Sequence, residues 1–404
     1  MLAPLKKNDI VDITIDSLGS EMQGVGRHED LVIFVPFALP GEKVRVHILN
    51  VKKNYAFAKL VEVLLPSAYR VTPPCPYYGR CGGCSCQHMD YTASLDQKQA
   101  EVANNLKKIA GVDVIVNETL GMNEPWYYRN KMAVPVQQQG EEIISGFYAP
   151  RSHRIVPLEQ CIISMPPSDN IVASVRMWMK DNGISPYNEE TGHGTVRHIV
   201  TRVNRKGESI VLLVINDKRL PKQDKLIALL KEAVIGLKGI SISVNQSRGN
   251  TILGQNYQVV WGEAFLYESI LGVSFRISPL SFFQVNPVMT EFLYNKALAL
   301  CDPKPHETML DIYCGAGTIA LCFSPHVAKA VGIEIVAQAM QDAQENARLN
   351  DVQNVSFIEG KAEVELPKLM KQGFQPDFAV VDPPRKGVEK EVLDSLIQAQ
   401  INSL

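Results

Sequence analysis

Period-two alternation dominates the first seventy positions. Val11-Asp12-Ile13-Thr14-Ile15 and Val44-Arg45-Val46-His47-Ile48 put every second side chain on an apolar face, the pattern of half-buried strands. Leu31 to Val35 is an apolar run closed by Pro36, Gly41-Glu42 makes a turn, and Ala56 to Val63 continues the pattern. Short strands with turns about every ten residues predict a small barrel. Ser67 to Pro76 is proline-rich and marks a boundary. Helical spacing follows over Gln97 to Ile109, with Val102, Leu106 and Ile109 on one face.

A long, mostly β region then runs to about residue 275. Strands are predicted near Ile143–Tyr148, His198–Asn204, Ser209–Ile215 and Thr251–Val260, and a helix over Asp224 to Val234. From about Asn286 the pattern turns to alternating strand and helix. Glu307 to Tyr313 reads as a strand, Cys314-Gly315-Ala316-Gly317-Thr318 as a glycine loop, and Ile319 onward as a helix. Ala328 to Ile333, Asn354 to Ile358 and Pro376 to Val381 are three further strands, and Lys390 to Gln400 a last helix.

Composition changes this picture little. Hydrophobic residues are 46% and charged residues 21% of 404, which excludes disordered and collagen-like chains. The formal net charge of −2 excludes a uniformly basic protein but leaves room for a local patch. Such a patch is Lys43, Arg45, Lys52, Lys53 and Lys59, interleaved with His47, Tyr55 and Phe57. It suits nucleic acid, although lysines also blunt exposed strand edges. No stretch has the roughly 20 apolar residues of a spanning helix, and the first residues lack a signal peptide's apolar core. A cytoplasmic monomer that engages no membrane is the expectation.

Cysteine use adds a candidate metal centre. Four of the eight cysteines, Cys75, Cys81, Cys84 and Cys86, fall close together in CPYYGRCGGCSC. In a reducing compartment this clustering reads as metal or cluster ligation. Three thiolates need a fourth ligand, with Cys86, His88 and Cys161 as candidates. Zinc accepts four cysteines or three and a histidine, an iron–sulfur cluster four cysteines.

Strand, glycine loop, helix, strand and acid form a cofactor-binding half of a doubly wound sheet. The glycines allow close approach, and Glu334 is placed for ribose hydroxyls. Gly315-x-Gly317-x-x-Ala320 formally satisfies the dinucleotide fingerprint. Asp311, just before the glycines, would repel a pyrophosphate but suits the ammonium and sulfonium of S-adenosylmethionine. Asp382-Pro383-Pro384-Arg385 ends the fourth strand in a rigid clamp facing the same crevice. Methyl transfer is the stronger reading.

These motifs together resemble the RNA 5-methyluridine methyltransferases, the RumA-type 23S rRNA (uracil-5-)-methyltransferases among them, over essentially the whole chain. The resemblance implies three domains. Residues 1–68 are an OB-like, TRAM-like RNA-binding barrel, 69–285 a β-rich α+β central domain with an iron–sulfur site, and 286–404 a Rossmann-like α/β class I methyltransferase domain. It implies a 4Fe-4S cluster on Cys75, Cys81, Cys84 and Cys161, leaving Cys86 a bystander. Trp126 to Lys131 and Thr195 to His198 resemble central-domain segments, suggesting Arg129 and Lys131 as RNA contacts. Ser281-Phe282-Phe283-Gln284-Val285-Asn286 matches the segment whose glutamine contacts S-adenosylmethionine and whose aromatic lies near the target base. The cofactor residues implied are Gln284, Asp311, Tyr313, Gly315, Gly317, Glu334 and Asp382. Phe282 and Asp382 would meet the uracil. A TRAM-like module favours rRNA over tRNA.

Two departures bear on the chemistry. Where the family has an acid or amide after the third strand, this chain has Lys361, which is left out of the site. Uracil C5 methylation also needs a cysteine thiolate that adds to C6. The family's Ser-Cys-Asn-Pro motif does not occur up to Leu404. The nucleophile is therefore expected beyond Leu404, and the methyltransferase sheet is expected to be incomplete. Other readings are a non-catalytic iron–sulfur protein binding RNA and S-adenosylmethionine, and an amino-methyltransferase using the same clamp.

Overall fold

The computed structural model describes residues 5–249 and 251–401. The chain forms two compact units. One comprises the chain up to Glu124 with Gly146–Leu158, the other Pro125–Ser145 with the chain from Glu159.

In the first unit β1 (Ile10–Leu18), β2 (Gly24–His28), β3 (Leu31–Val35), β4 (Lys43–Val51) and β5 (Tyr55–Leu65) close a barrel in the order β1-β2-β3-β5-β4. β4 returns to β1, pairing Ile13 with Val44. The alternating residues Ile13, Ile15, Ile33, Val35, Val44, Val46 and Ile48 fill the interior, and closure leaves no free edge. β2 has no counterpart among the predicted strands. A Cβ at Gly26 would lie 2.3 Å from Thr14 O, so β1 approaches too closely for a side chain, and the alternation is lost.

Behind the barrel, the buried Glu42 carboxylate accepts from Leu39 N at 2.8 Å, Ser67 N at 3.3 Å and the Arg70 guanidinium. Next comes α1 (Tyr91–Asn105), capped by Asp90, whose carboxylate accepts from Ala93 N at 3.1 Å. This cap starts the helix earlier than its apolar spacing predicts. Val102 and Ile109, expected on a packed face, are exposed.

The second unit opens with β6 (Lys131–Gln139), which pairs with the first half of β7 (Glu142–Tyr148). The second half of β7 pairs with β8 (Ile155–Pro157) in the first unit. After α2 (Ser168–Asp181) come β9 (Val196–Val203), β10 (Ser209–Ile215), α3 (Gln223–Ala233), β11 (Leu237–Val244) and β12 (Gln258–Gly262). Their order is β12-β11-β10-β9-β6, with β9 and β10 buried on both faces. The predicted strand over Thr251–Val260 shrinks to β12. Upstream of it, Asn245 Nδ2 donates to Thr251 O and Ile252 O, and Ser243 Oγ accepts from Gly254 N. Side chains thus take the groups that a ladder would use.

A hairpin of β13 (Leu266–Ile270) and β14 (Val273–Ile277) leads to α4 (Pro287–Cys301), capped by Asn286. Then follow β15 (Thr308–Ile312), α5 (Thr318–Phe323), β16 (Lys329–Glu334), α6 (Ala337–Leu349), β17 (Val355–Glu359), α7 (Ala362–Lys371), β18 (Phe378–Val381) and α8 (Lys390–Ala399). The four strands are parallel in the order β17-β16-β15-β18. Met309, Ala330 and Phe378 pack against α4 and α5 on one face, and Leu310, Val331 and Ala379 against α7 and α8 on the other. The chain order reverses between β15 and β18, which places the ligand crevice at their C-terminal ends.

Candidate functional site

The crevice is built where β15 ends. Tyr313 takes a left-handed φ of 68°, and Tyr313 N and Cys314 N both donate to Ile333 O at 3.0 Å. A strained non-glycine residue at such a point marks a site held by its surroundings. Gly317 has φ 74°, and a Cβ there would lie 2.7 Å from the Phe357 ring, so only glycine fits. Glu334 at the end of β16 is pinned by Gly315 N at 3.0 Å and Val336 N at 2.8 Å.

A cavity of about 980 Å³ opens over these groups. It brings together Phe282, Gln284, Tyr313, Gly315, Glu334 and Asp382, six of the residues singled out from sequence. Pro383 and Pro384 line it beside Asp382. Asp311 and Gly317 do not line it. Asp311 is fully buried, with Oδ2 accepting Ala320 N at 2.9 Å and Oδ1 unpartnered. Burial first, then Asp382 and Glu334, raise its carboxyl from 3.8 to about 7. Lys361 stands outside the lining.

Residues far away in sequence hold the Phe282–Gln284 segment. Arg202 on β9 is buried and donates to Ser281 O, and Asn130 Nδ2 donates to Gln284 O at 3.0 Å. Asn130 N also reaches Val285 O at 2.9 Å. Phe283 is buried near Phe275, which leaves Phe282 75% exposed at the cavity. Arg129 and Lys131 do not line the cavity. They cluster with Arg202, and burial together with these two arginines pulls Lys131 down to about 8.

Sequence reasoning did not single out Arg202, Tyr294, Thr318 or Asp342. The Tyr294 hydroxyl meets Thr318 Oγ1 at 2.8 Å in the cavity wall. Tyr294 follows an asparagine-capped helix start, but only the tertiary fold brings it to the glycine loop.

Two sets of cysteines remain. Cys314 lines the cavity but is buried, and that burial, with Asp311 and Glu334 nearby, pushes its thiol well up. In the first unit, Gly83 N donates to Cys81 Sγ at 3.4 Å. A Cβ at Gly82 would lie 2.8 Å from Tyr148 O, so the loop packs closely on β7. The thiol donors suit a cluster chemically. Among the described residues, however, no group of three His, Cys, Asp or Glu side chains converges to hold a metal ion.

A glycine loop, an acid ending the second strand and Asp-Pro-Pro ending the fourth, around one cavity on a parallel sheet, define a methyltransferase-type site. Residues 303–382 match the family described as methyltransferase domain, and residues 4–61 match the TRAM domain. A Clostridium tetani protein named as an uncharacterized RNA methyltransferase is 43% identical over 394 residues, 97% of this chain and 86% of that protein. One of the same description from Clostridium acetobutylicum is 41% identical over 98% of this chain and 87% of its own length. This chain belongs to the RNA methyltransferase family. Its fold is similar to that of the Pyrococcus abyssi tRNA (uracil-54, C5)-methyltransferase solved with S-adenosyl-L-homocysteine. There the TM-score is 0.75 at 23% identity, covering 96% of this chain and 88% of that one. Among the described residues no helix is long and apolar enough to cross a membrane.

Proposed function

We propose that this chain uses S-adenosylmethionine to methylate uridine at C5 in RNA. The carrying observation is the single cavity that joins the glycine loop and Glu334 to Phe282, Gln284 and the Asp382-Pro-Pro turn. Glu334 takes the ribose hydroxyls. Gln284, Tyr313, Gly315 and Asp382 line the path of the cofactor. Asp311 and Gly317 act from behind, the first as a buried charge and the second by letting the loop lie flat. A flipped uridine stacks on exposed Phe282, with its polar edge at Asp382. Arg129 and Lys131 offer cationic contacts to the RNA backbone.

The chemistry requires a thiolate that adds to uracil C6, so that the enolate at C5 takes the methyl from the sulfonium with release of S-adenosylhomocysteine, and a base then removes the C5 proton to expel the thiolate. We assign that thiolate to none of the eight cysteines of this sequence. The three-part division at residues 68 and 285 is retained as a functional one, with the barrel gripping RNA.

RNA containing 5-fluorouridine tests the mechanism. The expected result, for a protein that includes the attacking thiolate, is a stable protein–RNA adduct that depends on S-adenosylmethionine, and turnover without any adduct overturns the mechanism. Product analysis on 23S rRNA and tRNA separates the substrates and distinguishes 5-methyluridine from methyladenosine, which an amino-methyltransferase would make. The barrel by itself does not favour rRNA. The similarity to the tRNA enzyme spans 96% of this chain and therefore includes the barrel.

The resemblance of CPYYGRCGGC and distant Cys161 to the family's site is what supports a 4Fe-4S cluster on Cys75, Cys81, Cys84 and Cys161. The cluster would brace the fold, and no step of methyl transfer needs it. Anaerobic purification followed by iron and sulfide analysis checks this. Cys81→Ser is expected to lose the iron, and a metal-free native protein removes the proposal.

A further inference from the structure

Three carboxylates line the cavity: Glu334, Asp382 and Asp342. The proposed function uses the first two. Asp342, on α6, is 3% exposed. Its Oδ1 has only the Gln338 amide at 3.5 Å, and its Oδ2 has no partner.

The position of Asp342 is fixed. One turn further along α6, Asn346 donates to Ala316 O of the glycine loop at 3.2 Å and accepts from Arg276 N at 2.9 Å. Burial raises the Asp342 carboxyl, against Arg276 and Arg202, whose charges favour the ionised form. Neither arginine is bonded to it. Arg202 donates to Pro279 O and Ser281 O, while Arg276 lies over the Phe265 ring and 3.8 Å from Glu345. The carboxylate thus has balancing charge nearby but lacks a donor on one oxygen. A buried acceptor left in this state is costly, and Asp342 belongs to the cavity lining.

We propose that Asp342 receives the α-ammonium at the amino-acid end of the cofactor. This rests on the cofactor reading above. With the ribose at Glu334, the helix from Val336 to Asp342 runs about 9 Å, comparable with the short chain between ribose and ammonium. Just beyond that course, Asn346 locks α6 against Ala316 of the glycine loop. The ligand class is a nucleoside bearing an amino-acid tail, and Asp342 selects the tail.

Calorimetry with two probes tests this. S-adenosylhomocysteine carries the ammonium, and methylthioadenosine shares the nucleoside but lacks the amino-acid end. Asp342→Asn is expected to weaken S-adenosylhomocysteine roughly 10- to 100-fold and to leave methylthioadenosine unchanged. Equal losses for both probes, or no loss for either, overturn the assignment. Unchanged S-adenosylhomocysteine binding with a raised KM for RNA also overturns it, and places Asp342 against RNA instead. If Asp342→Asn does not fold, Asp342→Glu keeps the charge opposite Arg202 while displacing the oxygens, and the same difference between probes is expected. Wild-type protein that binds neither probe would refute the cofactor reading itself.

Discussion

Asp311, near the end of β15, is buried beside the cavity without lining it. Its carboxyl is raised from 3.8 to about 7 because the fold buries it, and Asp382 and Glu334 add to the shift. The unfolded chain releases this proton near the ordinary value. Between that value and about 7 the folded protein keeps a proton that the unfolded chain has lost. Stability therefore falls as pH rises through this window and stays lower above it. Asp311→Asn keeps an acceptor for Ala320 N and removes the buried charge. It is expected to raise the melting temperature at about pH 8, by at most roughly 4 kcal/mol of stability, with little change near pH 4. Binding should move the opposite way. A cationic cofactor favours ionised Asp311, so affinity for S-adenosylmethionine is expected to strengthen as pH rises through about 7, and the Asn variant should lack that rise. Calorimetry across pH checks both halves, and a variant that is neither stabilised nor flat in pH contradicts the account.

At the scale of elements, the loop between β14 and α4 carries Phe282 and Gln284, but it is held by Asn130, just before β6, and by Arg202 on β9. Asn130 and Arg202 supply the donors for Gln284 O and Ser281 O from over seventy residues away in sequence. Asn130→Ala would leave Gln284 O without its donor, at a cost of about 1–3 kcal/mol. The expected outcome is a lower melting temperature and a raised KM for S-adenosylmethionine, with kcat changed less. Steady-state kinetics decide, and an unchanged KM means the loop holds itself. Glu42 does comparable work in the first unit. Burial tends to raise its carboxyl, and hydrogen bonds from Arg70, Leu39 and Ser67 more than offset this and lower it. Its stabilisation is present above the ordinary glutamate value and is lost as pH falls through the lowered one. Neither Arg202 nor Glu42 could be read from local pattern, because a charged residue in or beside a strand looks like a solvated one until its distant partner is known.

Over the whole molecule, most of the strands and the glycine loop were legible because their signals are local: alternation for the barrel, continuous apolar runs for β15 to β18, and glycine between strand and helix. β2 was illegible because close approach to β1 removed the side chains that would have shown its period. The barrel's outer surface joins the two levels. Phe34, Tyr55 and Phe57 form a ring cluster with centroids 5.4–5.9 Å apart, and Arg151 lies 5.9 Å from the Phe57 ring. Lys52, Lys53 and Lys59 are exposed in the same segment, whereas Arg45 is taken up by Asp12 and Glu62. Of the five cations seen in sequence, then, Arg45 is committed internally, and Lys43 completes the exposed set. If this surface grips RNA while the cavity performs the chemistry, the two functions should separate. Lys52→Glu with Lys53→Glu is expected to raise KM for RNA and to reduce its salt dependence, since each lost phosphate contact lowers the slope by about 0.7–0.9. Tyr55→Ala should remove roughly 1–3 kcal/mol of base stacking and leave the salt slope alone. Affinity for S-adenosylhomocysteine should be unchanged in all of them. A charge-reversed barrel that binds RNA with the same salt slope would mean that the lysines only guard the strand edges, and that RNA is held elsewhere.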